Sequence, residues 1–216
     1  PASKWASANC AAFANQQGVG NVSVNEKDSL TYLAAEKIYM TGNWSLAKKL
    51  LNDYLNKFPS GKFALNAHYY RGDCFYRAEN KDTALQDFNF VIDKPKNIFT
   101  EQSLLNAAEI NMVLGNDSAA YVLFNKLENL AEVKSNLLIA RKGQMQAAYV
   151  TGKFDKAIEA GRRVLMTDKV TEEEIREARL IMAKSFKHQG LLDASITQFR
   201  ILAQDVKNAE GSEGKY

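Results

Sequence analysis

The 216-residue chain contains only 3 prolines. Proline cannot sit inside a helix without removing a hydrogen bond, so its scarcity favours long helices over loop-rich or sandwich folds. Cysteine is as rare, with Cys10 and Cys74 alone, which excludes a disulfide-dense scaffold. The 2 histidines, His68 and His188, have no second histidine or cysteine at metal-ligand spacing. No run approaches the roughly 18 consecutive apolar residues that a membrane-spanning helix needs. A dominant charge is missing too. Residues 1–108 carry 12 basic and 10 acidic groups and residues 109–216 carry 16 and 15, which together make the totals of 28 and 25. That balance argues against a nucleic-acid binder.

What the chain does have is a repeat. "IYMTGNWSLAKKLL" at Ile38–Leu51, "NMVLGNDSAAYVLF" at Asn111–Phe124, "AYVTGKFDKAIEAG" at Ala148–Gly161 and "FKHQGLLDASITQF" at Phe186–Phe199 share one frame. "FYRAENKDTALQDF" at Phe75–Phe88 fits it with Glu79 where the others have glycine. The turn positions Gly42, Glu79, Gly115, Gly152 and Gly190 are separated by 37, 36, 37 and 38 residues. Five residues after each turn stand Ala47, Ala84, Ala120, Ala157 and Ser195, small enough for close helix approach. Nine after stand Leu51, Phe88, Phe124, Gly161 and Phe199; twelve after stand Tyr54, Val91, Leu127, Val164 and Leu202. Offsets of 5, 9 and 12 lie on one helix face.

Each unit therefore reads as helix, tight turn, helix. A residue just past a helix end commonly needs a positive φ, which suits glycine. Asn43, Asn80 and Asn116 are placed to cap the second helices, and Thr171 with Glu174 forms a capping-box pattern. Pro59 and Pro95 fall near unit ends, where they stop helices without breaking any.

These columns resemble the tetratricopeptide repeat: a small residue, an aromatic, a turn glycine, then Ala and Phe. Two departures are the missing early tryptophan and Asn111 where an aromatic is usual. The junction "FPSGKFALNAHYYRGDCFY" (Phe58–Tyr76) resembles bacterial envelope repeat proteins, namely outer-membrane assembly lipoproteins and Tol-Pal coordinating proteins. "EKDSLTYLAAEKIYMTGN" resembles large envelope repeat proteins of Bacteroidetes. The resemblance implies an all-α, right-handed superhelical solenoid of about five helix-turn-helix repeats, at residues 29–62, 63–98, 99–134, 135–170 and 171–208. It implies a bacterial periplasmic or outer-membrane location, with the cytoplasm left open. Residues 1–28 read as an N-terminal helix and linker, the remnant of an upstream repeat. Residues 209–216 read as the start of a truncated sixth, so both ends look cut from a longer array.

Chemistry-bearing patterns are sparse. "GVGNVSVNEKD" has two close glycines but no surrounding strand–helix unit. "TEEEIREAR" places its acids in a first helical turn, where the helix dipole favours them. Cys74 reads as a small packed thiol, with no histidine positioned to activate it. No enzyme activity, cofactor or metal is expected.

In the resembled family the concave surface uses first-helix positions ten, six and three residues before the turn, which share a face. Ten before are Tyr32, Tyr69, Leu105, Lys142 and Leu180. Six before are Glu36, Asp73, Glu109, Gln146 and Lys184. Three before are Tyr39, Tyr76, Met112, Tyr149 and Lys187. The first three units join an acidic stripe to aromatic or methionine neighbours, and the fifth turns basic. The implied role is a non-enzymatic scaffold that holds a peptide or protein in this groove, through Tyr32, Glu36, Tyr39, Tyr69, Asp73, Tyr76, Leu105, Glu109, Met112 and Tyr149. The same tyrosines would equally suit packing between adjacent first helices. The alternative role is a structural or self-associating segment, a homo-oligomer included.

Overall fold

The computed structural model describes residues 23–213, with side chains up to residue 204. The expected N-terminal helix around "KWASANCAAFANQQ" lies outside the described residues. Ten helices follow in order: α1 Val24–Met40, α2 Trp44–Lys57, α3 Ala64–Arg77, α4 Lys81–Ile92, α5 Thr100–Val113, α6 Asp117–Leu130, α7 Lys134–Val150, α8 Phe154–Leu165, α9 Glu172–His188 and α10 Leu192–Glu213. No strand occurs among the described residues. Each helix packs on the next, and α1–α3, α5–α7 and α7–α9 also meet. That is an all-α solenoid of helix pairs.

The turn column does what its composition implies. Gly42, Gly115, Gly152 and Gly190 have φ of 80°, 75°, 72° and 76°, and Glu79 is held in the same left-handed region at 59°. Each turn residue donates its N–H to the carbonyl three residues earlier: Gly42 to Tyr39, Glu79 to Tyr76, Gly115 to Met112, Gly152 to Tyr149 and Gly190 to Lys187. Asn43 and Asn80 cap α2 and α4 through Leu46 and Thr83 amides. Asn116 occupies the same position without a side-chain cap bond. Thr171 and Glu174 form a capping box at α9.

Two expected boundaries move. α1 starts at Val24 rather than at residue 29, because Ser23 and Glu26 cap each other's backbone; residues 24–28 are helix, not linker. At the other end α10 continues to Glu213, so residues 209–213 prolong the fifth pair instead of opening a sixth. No proline interrupts that stretch, and its backbone bonding runs on past Gly211.

The core follows the columns. Ala47, Ala84, Ala120 and Ala157 are fully buried, as are Leu51, Phe88, Tyr54, Val91, Leu127 and Val164. Burying a side chain of this size contributes about 1.5–3 kcal/mol. Gly143 on α7 shows how units stack: a Cβ there would lie 2.4 Å from the ring of Phe124 on α6. The first helix of one unit thus covers the ninth residue after the preceding turn.

Candidate partner-binding cleft

A cleft of about 880 Å³ opens between α3 and α5. The sequence-expected residues Tyr39, Tyr69, Asp73, Tyr76, Leu105 and Glu109 line it. The first-helix spacing of 4 and 3 brings them to one side, and stacking brings α3 beside α5.

Tyr32, Glu36, Met112 and Tyr149 lie outside this cleft. Tyr32 is only 1% exposed and does not line the cleft. Its ring stacks on Phe63 of the next unit at 4.4 Å and 4°, and its hydroxyl donates to Glu36 Oε1 at 2.6 Å. Glu36 is therefore already hydrogen-bonded away from the cleft. Met112 packs against the core of the third unit. Tyr149, on α7, meets Phe154 and His188 edge-on.

The tyrosine stripes also join units. Tyr69 stacks on Phe99 at 4.3 Å, as Tyr32 does on Phe63. Between the last two units Lys142 takes the tyrosine's position and donates to Glu174 at 3.1 Å. The stripe nearest the turn behaves likewise. Tyr39 donates to Asp73 Oδ2 at 2.8 Å, and Tyr76 donates to Glu109 Oε2 at 3.2 Å. In the first two units the phenol three before one turn thus meets the carboxylate six before the next. Met112 ends this ladder because it has no hydroxyl. Burial pushes the Tyr69 hydroxyl up to about 12 and raises that of Tyr39, whose bond to Asp73 adds to the effect.

Position-by-position reading missed Arg77, Lys81, Gln102 and Asn106, all in the cleft wall. Arg77 Nε donates to Asp73 Oδ2 at 2.6 Å, and its guanidinium lies 4.4 Å from the centre of the Trp44 ring. A cation four residues after Asp73 was the available signal. Gln102 donates to Asn106 Oδ1 at 2.8 Å.

The remaining chemistry-bearing groups have local partners. His68 Nδ1 lies 2.7 Å from Asp87, which also holds Arg71, and the imidazole stacks on Phe90 at 3.7 Å. Cys74 is buried, and that burial pushes its thiol up to about 11, away from the reactive thiolate. Among the described residues no group of three or more His, Cys, Asp or Glu is gathered as a metal site. None of their helices is long and apolar enough to cross a membrane.

No protein-family model and no curated relative matches the chain. Solved structures do. A MamA protein structure superposes with a TM-score of 0.65 at 14% identity, covering 89% of this chain and 98% of that one. A tetratricopeptide repeat protein from Parabacteroides merdae gives 0.61 at 18% identity, covering 83% and 67%. YrrB, described as a TPR protein with an unusual peptide-binding site, gives 0.59 at 17% identity, covering 82% and 90%. At these identities the likeness concerns the fold, and it agrees with the glycine and alanine columns: the chain is an all-α solenoid of the tetratricopeptide-repeat type.

Proposed function

We propose that the chain is a non-enzymatic protein-interaction scaffold that holds an extended peptide segment of a partner in the cleft between α3 and α5. The observation that carries this reading is the cleft wall itself. It combines aromatic rings (Tyr39, Tyr69, Tyr76), apolar side chains (Leu105, Ile110, Val113) and amides (Gln102, Asn106) in one concavity. Aromatic surface supplies contact area at low entropy cost, and amides can pair with a peptide backbone. The peptide-binding site stated for YrrB lends support by analogy of fold. The resemblance of the Phe58–Tyr76 junction to envelope repeat proteins supports a periplasmic or outer-membrane setting.

The test uses the exposed wall residues Gln102 and Val113, which carry little of the core. Replacing both by tryptophan fills the cleft. Binding to an immobilised random-peptide library should then fall at least tenfold while the circular-dichroism melt stays in place. Undiminished binding would remove the cleft from consideration.

A structural role has its own observation. Phe199 is 40% exposed, whereas Phe124 in the same column is 3% exposed and Leu51 and Phe88 are fully buried. Leu192 and Ile196 are exposed beside it. This face of α10 matches the faces that following first helices cover within the chain, so it suits stacking of a further helix or a second copy. Light scattering on the wild type and on Phe199→Glu separates the two roles: a dimer that the substitution dissolves favours self-association.

A further inference from the structure

We infer that the cleft selects partner segments carrying a lysine or arginine that reaches Glu109, an assignment that rests on the groove reading above. Five charged side chains line the cleft: Asp73, Glu79 and Glu109 against Arg77 and Lys81. Four of them are already committed. Asp73 accepts from Arg77 and from the Tyr39 hydroxyl, and Arg77 is further held over Trp44. Glu79 and Lys81 pair at 2.5 Å. Among the described residues Glu109 accepts only the Tyr76 hydroxyl, at 3.2 Å, and no lysine or arginine pairs with it. The three carboxylates outnumber the two cations by one, and the unmatched one is Glu109.

Its surroundings fit a long basic side chain. Leu105, Ile110 and Val113 stand beside it in the wall, so an ion pair there is less screened than on open surface. The methylene stem of a lysine or arginine can lie along Leu105 and the Tyr69 ring while its head meets the carboxylate. Asn106 accepts from Gln102, and no other hydrogen bond of the described residues uses its N–H groups, which leaves donors for the partner's carbonyls. An acidic ligand would meet Asp73 or Glu79 beside each cation of the cleft, whereas a basic one meets Glu109 with no cation paired to it. The arrangement therefore discriminates by charge sign as well as by contact area.

Panning a phage-displayed random dodecapeptide library against the wild type and against Glu109→Gln tests this directly. The wild type should enrich peptides with Lys or Arg at one fixed position amid apolar residues. Glu109→Gln should keep the apolar preference and lose the basic one, and the best wild-type peptide should bind it about tenfold more weakly by fluorescence polarisation. Glu109→Lys should enrich acidic peptides instead. If the wild type enriches peptides without a basic bias, or enriches acidic ones, this inference fails while the groove reading stands. If it enriches nothing, both fail. Circular dichroism of each variant confirms that the fold is intact.

Discussion

Asp28 accepts the Tyr54 hydroxyl at 2.6 Å and the Lys62 backbone N–H at 2.8 Å. One carboxylate thereby ties α1 to the end of α2 and to the loop leading into α3. The Tyr54 oxygen in turn accepts the Phe63 N–H at 3.1 Å. Asp28 and Tyr54 are both buried, so removing either leaves donors with no partner. Asp28→Ala should cost about 2–3 kcal/mol, the scale of a charge-assisted buried hydrogen bond. Tyr54→Phe should cost about 1–2 kcal/mol. Urea unfolding of the singles and the double variant checks it: the coupling should be positive, and strict additivity would show the network carries no shared energy.

Glu79 occupies a turn where its four counterparts are glycine. A left-handed conformation costs a residue with a Cβ roughly 1–2 kcal/mol, and the added freedom of glycine in the unfolded chain offsets part of that. The Glu79–Lys81 pair leaves Glu79 largely exposed and contributes little. Glu79→Gly should therefore stabilise by about 0.5–1 kcal/mol, raising Tm by roughly 1–4 °C for a chain of this size. Gly115→Ala should do the opposite by about 1 kcal/mol, since nothing lies within 4 Å of the added Cβ and only the backbone objects. An unchanged Tm for both would refute the conformational account.

Phe124 and Gly143 form the tightest small-against-large contact between units. Gly143→Ala should destabilise by about 1–3 kcal/mol through overpacking, because its Cβ would sit 2.4 Å from the Phe124 ring. Phe124→Ala should cost about 3–5 kcal/mol through the cavity it opens. In the Phe124→Ala background the second substitution should cost nothing. A Gly143→Ala penalty that persists there would mean the ring is not its cause.

Alkaline pH should weaken the fold early. Burial holds the Tyr69 hydroxyl near 12 and also raises those of Tyr32, Tyr39 and Tyr54, each bonded to a carboxylate. Unfolded tyrosines ionise near 10. Above that value the unfolded chain loses protons that the folded chain keeps. Stability is therefore full below about pH 10 and is lost as pH rises through the folded values. Tyrosinate absorbance should show several of the 9 tyrosines ionising only as circular dichroism collapses. Titration of all of them near pH 10 in a folded protein would contradict the burial argument.

The glycine and alanine columns were legible because single-residue physics dictates them. A positive φ admits few side chains, and a close helix contact admits only small ones. The Ser23–Glu26 capping box was overlooked although "SVNE" carries the pattern, and residues 24–28 read as linker because Gly18 and Gly20 precede them. The shared face was legible: spacing put Tyr69, Asp73 and Tyr76 on one side of α3, and only the family resemblance implied that this side is a groove. Asp73's pairing with Arg77 was open to local reading, but partners on other helices were not. Tyr39 finds Asp73 34 residues later, and Tyr76 finds Glu109 33 residues later. No local pattern contains such partners.

The composition and the five-fold register were therefore enough to specify helices, turns and a stack, because backbone conformation and helix periodicity act over a few residues. The balanced charge counts concealed a different matter. Helix spacing alone pairs Asp73 with Arg77 and Glu36 with Tyr32; stacking decided that Tyr39 reaches Asp73, that Tyr76 reaches Glu109, and that Glu109 faces a cleft without a cation. Those outcomes depend on distances between separate helices, and only the packed solenoid sets them.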